Sequence, residues 1–142
     1  MNGVSLTPLR RISHPQGDIF HGMKASDTGF EGFGEAYFST VLEGKIKGWK
    51  RHNQMTLNLV VATGSIEFVI YDDRDESDTK GQFYSVELGG DNYQRLTVSP
   101  GLWVAFRGLG GGTSMLLNIA NLEHDPDEAN NRELNAFSYK WS

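Results

Sequence analysis

The sequence predicts an all-β protein, a sandwich or barrel, on three observations. About ten short runs of alternating or β-rich residues follow one another at close spacing. The composition sets 17 glycines against 4 prolines, which supplies many tight turns. Helical character is confined to one brief window. With 142 residues, 38% of them hydrophobic and 22% charged, the chain can build one sizeable core, so residues 1–142 are read as a single domain.

The elements follow in order. Val4 to Leu9 and Asp18 to Lys24 open the chain; Glu35 to Val41 and Ile46 to His52 alternate polar with apolar residues. Thr56 to Ala62 and Ile66 to Tyr71 are further β-rich segments. Phe83 to Leu88, Arg95 to Val98, Leu102 to Phe106 and Met115 to Ala120 complete the set. Ala62-Thr63-Gly64-Ser65 is expected to close a hairpin, and Gly89 to Asn92 and Gly108 to Gly112 to provide positive φ at reversals. The acidic run Asp72 to Glu76 is expected to be a solvated loop. Asp125 to Ala129, with its early proline, suits one short helical turn that Asn130 and Asn131 end.

Charge and residue usage narrow the function. A net charge of -5 lacks the basic excess that a phosphate backbone demands, so nucleic acid is not an expected partner. No apolar run approaches the ~18 to 20 residues that cross a bilayer, and Met1 to Arg11 has no apolar signal core; the expectation is a cytoplasmic protein without a membrane partner. Cysteine is absent, which leaves His, carboxylates, Lys and Tyr to carry any chemistry.

One stretch has a specific likeness. Phe68-Val69-Ile70-Tyr71-Asp72-Asp73-Arg74 is followed by Ser77, Thr79 and Gly81, and this resembles the D-x-R…S-x-T-x-G segment of the dTDP-4-dehydrorhamnose 3,5-epimerase family, cupin-type enzymes acting on sugar nucleotides. Upstream, Ile46 to Lys50 resembles the family's L-R-G-L-H and Asn58-Leu59-Val60 its K-L-V. Downstream, Gly101 to Val104 stands at G-F-A-H, and Met115 to Asn118 at the strand that carries a catalytic tyrosine. The likeness covers residues 33 to 128. It implies a cupin jelly roll, a homodimer, a nucleotide-sugar ligand and no cofactor. The activity it implies is isomerisation or epimerisation of a 4-keto-6-deoxy sugar in bacterial surface-polysaccharide synthesis. Trp103 and the pair Lys50, His52 are closer to the related sugar 3,4-ketoisomerases, which carry H-x-H in that strand.

The departures fall on the family's working groups. Lys50 stands at the catalytic His, Asn58 at the buried Lys, Val104 at the second His and Leu117 at the Tyr acid. Proton abstraction beside a ketone still needs a base, a positive group near the enolate and a proton source. His52 is read as the base, Lys50, on the same strand face, as the positive group, and Tyr37 as the replacement acid. Glu35, Ser39, Lys47, Arg51, Asn58, Trp103, Asn118 and His21 are read as substrate-binding, with Lys47 and Arg51 for the diphosphate. His14 and His124 are assigned to the surface. A metal site is not expected, because Pro100-Gly101 is followed by no His and His52 has no second His two residues before it. Two other readings follow from the same residues: a non-catalytic cupin that binds a sugar or nucleotide sugar, and a metal-dependent cupin oxygenase.

Overall fold

The computed structural model describes residues 1–141. In chain order the strands are β1 (Val4–Pro8), β2 (Arg11–Ile12), β3 (Ile19–Phe20), β4 (Glu35–Val41), β5 (Ile46–His52), β6 (Leu57–Thr63) and β7 (Ser65–Tyr71). They continue with β8 (Phe83–Gly89), β9 (Gln94–Val98), β10 (Trp103–Gly108), β11 (Ser114–Ala120) and β12 (Ala129–Asn131), with single 3₁₀ turns at Pro126–Glu128 and Leu134–Ala136. Two five-stranded antiparallel sheets form, ordered β1-β9-β6-β11-β4 and β12-β5-β10-β7-β8, beside a small β2-β3 ribbon. This is the jelly-roll arrangement of a cupin.

Between the sheets lies one apolar layer, with Leu59, Val61, Ile66, Phe68, Ile70 and Leu96 among its buried members. Each such side chain, fully buried, contributes about 1.5–3 kcal/mol. A second layer covers the outer face of the β5-containing sheet. There Trp49, Val69, Trp103 and Ala105 pack beneath Phe137, Tyr139 and Trp141 of the C-terminal segment. Trp49 Nε1 donates to the Leu134 carbonyl at 3.1 Å, and backbone bonds link Trp49 with Arg132 in both directions, so the segment is tied to the sheet by polar as well as aromatic contacts.

Five expectations are corrected here. Gly64 does not close a hairpin: β6 and β7 belong to different sheets, and the chain passes from one to the other through it. Its φ is +83°, and a Cβ there would lie 2.3 Å from Ser114 Oγ, the hydroxyl that receives the Ser65 N–H. Glycine at 64 therefore serves a corner between sheets. Secondly, Gly89, Gly90, Gly108 and Gly110 do not have positive φ, although Gly111 and Gly112 do; a Cβ on Gly89 would meet the Gly64 carbonyl at 2.7 Å, so Gly89 answers a close approach. Thirdly, Asp18 to Lys24 is strand only at Ile19–Phe20.

Fourthly, the acidic run is not simply solvated. Asp72 is wholly buried and accepts from Arg74 Nε at 2.9 Å, Arg74 Nη2 at 2.9 Å, and the Ser77 and Thr79 hydroxyls. The Asp72 carboxyl is held far below the usual range, with the Arg74 hydrogen bond the largest cause and burial opposing it. Finally, Asn130 and Asn131 do more than end a turn. With Ala129 they form β12, which pairs Ala129 with His52 and Asn131 with Lys50 along β5.

Candidate active site

A cavity of about 340 Å³ opens between the two sheets. β5 supplies Lys47, Gly48, Lys50 and His52 to one wall; Tyr37, Ser39 and Asn118 come from β4 and β11 in the facing sheet; Leu57, Leu59, Val104, Phe106 and Leu116 make the floor apolar. A second recess continues from it through Tyr37, Lys50 and His52 to Glu35, Met55 and His124.

Strict alternation would not place both Lys47 and Lys50 on one face, since they are an odd number of residues apart. A bulge does. Against β10, Val104 pairs with Lys50 and Phe106 with Lys47, so Ala105 alone opposes Gly48 and Trp49. Alternation alone sends Trp49 outward into the aromatic layer with Lys50 and His52 inward, and the extra residue brings Lys47 to the inward face as well. Gly48 is required for it: its φ is +148°, and a Cβ would sit 2.5 Å from that of Ala105.

His52 is 7% exposed and its Nδ1 donates to Glu128 Oε1, a carboxylate that is also 7% exposed. The other Glu128 oxygen accepts the backbone N–H groups of Asn53 at 3.1 Å, Gln54 at 3.0 Å and Met55 at 3.2 Å. Burial pushes the Glu128 pKa up; the His52 bond and the Gln54 and Met55 N–H groups outweigh it, and the group ends below the ordinary glutamate value. An ionised Glu128 fixes the imidazole tautomer, leaving Nε2 as the basic nitrogen. This partner was not legible in the sequence, because it lies 76 positions from His52 in a segment that reads only as an acidic turn.

The facing wall is equally ordered. Tyr37 and Asn118 are direct cross-strand partners. Asn118 Nδ2 donates to Tyr37 Oη at 3.1 Å, while Asn118 Oδ1 accepts the Asn58 backbone N–H at 3.1 Å. Lys47 Nζ donates to Ser39 Oγ at 3.0 Å and to the Thr40 carbonyl at 3.1 Å.

Of the residues singled out in the sequence, the structure brings His52, Lys50, Tyr37, Glu35, Ser39, Lys47 and Asn118 to these connected recesses. Four lie elsewhere. Asn58 points out of the opposite face of β6, where its side chain donates to the Gly29 carbonyl and accepts from Thr97 Oγ1. Arg51 and Trp103 belong to the outer layer: the guanidinium lies 4.8 Å from the indole centroid and bonds Asn130 Oδ1, and Trp103 Nε1 donates to Asp73. His21 lines a separate small recess with Arg10, Lys24 and Asp27. The inward positions on β6 and β11 are thus Leu57, Leu59, Leu116 and Asn118, one residue removed from Asn58 and Leu117. Strand alternation is the reason. His124, assigned to the surface, stands at the rim of the second recess. Among the described residues no group of three or more His, Asp and Glu side chains is close enough to hold a metal ion, and no helix is long and apolar enough to cross a membrane.

No family model matches the chain. A crystal structure of a dTDP sugar isomerase from Desulfovibrio desulfuricans G20 superposes with a TM-score of 0.95 at 34% identity, covering 99% of this chain and 91% of that one. The probable low-salt glycan biosynthesis epimerase Agl13 of Haloferax volcanii is 33% identical over 97 residues, which span 66% of this chain and 62% of that protein. The spore coat polysaccharide biosynthesis protein SpsL of Bacillus subtilis is 25% identical over 134 residues, 94% of this chain and 89% of its own length. With a jelly roll, a histidine-carboxylate pair opening on its cavity, and a relative this similar along almost its whole length, the chain belongs to the cupin family of sugar-nucleotide isomerases and epimerases.

Proposed function

We propose that this protein isomerises or epimerises a nucleoside-diphosphate-linked 4-keto-6-deoxy sugar by proton abstraction beside the ketone, without a cofactor, and that it works in surface-polysaccharide synthesis. The observation that carries the reading is the buried pair of His52, on β5, and Glu128, in the 3₁₀ turn before β12, facing Tyr37 across the cavity. Support for the substrate class comes from the relatives, one a dTDP sugar isomerase and two named for glycan or polysaccharide biosynthesis. dTDP sugars are therefore the first substrates to test.

In this mechanism His52 Nε2 takes the acidified α-proton and Glu128 stabilises the imidazolium that results. Lys50 places a positive charge near the enolate oxygen, the largest kind of contribution an active site makes to such an intermediate. Tyr37, from the opposite sheet, returns a proton to carbon. Lys47, beside Ser39, is assigned to the diphosphate. Glu35 borders the sugar, while Arg51, Asn58, Trp103 and His21 receive no substrate contact in this scheme. The protein acts as a homodimer in the cytoplasm, where the nucleotide-sugar pool would be met.

The test is solvent deuterium uptake into a 4-keto sugar nucleotide, followed by mass spectrometry. Uptake at a catalytic rate is expected. If none occurs with any such sugar while nucleotides still bind, the protein is a binding cupin that has kept the pocket after losing the chemistry.

A further inference from the structure

We infer that Asn118 is a positioning residue that makes Tyr37 an obligate hydrogen donor toward the cavity, so that the direction of proton delivery is set by a chain beginning at the backbone N–H of Asn58. The inference rests on the epimerase reading for its catalytic consequence. Its structural half stands without that reading.

The direction of each bond is forced by chemistry. A backbone N–H has only a proton to give, so the Asn118 atom 3.1 Å from Asn58 N has to be the carboxamide oxygen. The other end of the same side chain is then NH₂, and it donates to Tyr37 Oη at 3.1 Å. A phenol oxygen that accepts in this way keeps its own hydrogen for another partner, and Tyr37 lines the cavity. Asn118 is wholly buried and cannot exchange these partners for water.

The source of the chain is itself held. The Asn58 side chain is locked on the outer face between the Gly29 carbonyl and Thr97 Oγ1, so its backbone N–H presents to Asn118. Asn118 and Tyr37 are direct neighbours across β11 and β4. The polar residues at 58 and 118, which interrupt apolar runs in the sequence, thus act together. Neither needs to touch the substrate.

The consequence for the reaction is specific. His52 gains the proton lost from the α-carbon, the bonding pair moves into the enolate, and Tyr37 gives its O–H proton to carbon from the facing wall. Solvent then takes the proton from His52 and restores that of Tyr37. The amide of Asn118 stabilises the transient phenolate by donating to it.

Asn118→Asp reverses this polarity at almost constant volume. One carboxylate oxygen still accepts from Asn58, but the other accepts from the Tyr37 hydroxyl and draws its hydrogen away from the cavity. In the ligand-free protein, nitrogen-proton correlation spectra of the wild type and Tyr37→Phe decide the matter. Loss of the acceptor is expected to shift the Asn118 side-chain amide protons, and no shift overturns the inference. In the reaction, the ratio of product formed to deuterium exchanged is expected to fall roughly tenfold or more in Asn118→Asp. An equal fall in both overturns the donor role. Absence of exchange in the wild type counts against the epimerase reading, and the amide spectra still decide the hydrogen-bond chain.

Discussion

In the proposed mechanism His52 and Glu128 form the reactive side of the site, and His52 is the residue to replace first. Replacing His52 by Asn removes the proton acceptor and retains a polar group of similar size, so exchange into the sugar is expected to slow by roughly 10²-fold or more. Nucleotide affinity, measured calorimetrically on the same variant, is expected to remain near wild type, because Lys47 and not His52 is assigned to the diphosphate. Asp72 tests a different thing, since it lies outside the cavity and serves the fold. Asp72→Asn leaves the Arg74 side chain without its buried carboxylate and is expected to lower stability by about 3 kcal/mol in urea unfolding at neutral pH. The sign of the pH dependence follows from its depressed pKa. Its contribution is present above the unfolded carboxylate value near pH ~4 and is lost as pH falls below it toward the folded value. Glu128, also depressed, acts in the same sense. Wild type is therefore expected to lose stability steeply below about pH 4, and Asp72→Asn to show a shallower slope there.

Among the elements, β5 and the C-terminal segment decide whether the site exists. The bulge at Gly48–Trp49 divides β5 between two jobs, cavity wall and aromatic floor. Ala at 48 would have to displace Ala105, so Gly48→Ala is expected to lower the melting temperature and to impair exchange more than its loss of stability alone would. The Phe137 ring lies 4.4 Å from that of Tyr71, 5.4 Å from Trp49 and 5.3 Å from Trp103. Phe137→Ala is expected to cost about 3 kcal/mol in urea unfolding, as the loss of a well-packed aromatic does. A loss below 0.5 kcal/mol, about what a neutral surface change gives, would show that the segment does not help hold the sheet.

At the scale of the whole molecule, the β4 end of its sheet leaves apolar side chains exposed, whereas residues 22–29 cover the outer face farther along at Asn58 and Arg95. Phe38 is 68% exposed and Leu42 59%, with Met115 beside them on the neighbouring strand, and β4 is an edge strand with one side unpaired. Apolar side chains at a sheet edge favour association. We expect sedimentation to give a species of twice the 15.8 kDa chain mass, and Phe38→Glu to shift it toward the monomer. A single species near the chain mass at micromolar concentration would contradict the homodimer.

The sequence by itself determined the all-β class, nearly every strand, and the placing of Lys50 and His52 on one face, because alternation and local turn chemistry are properties of neighbouring residues. It also marked Tyr37 and Asn118 as polar residues out of place among apolar ones. Only tertiary structure decided which sheet each strand joined, so Gly64 read as a hairpin and proved to be a corner. It likewise decided the direction of Asn58, Arg51 and Trp103, which a one-residue difference in strand phase or a bulge turns to the opposite face. Asp72 read as solvated because its acidic neighbours dominate the local pattern, whereas its burial depends on Arg74, Ser77 and Thr79 folding back around it. Glu128 is the sharpest case. Its pairing with His52 is set by the register of β12 against β5, a contact between distant parts of the chain that no local periodicity encodes.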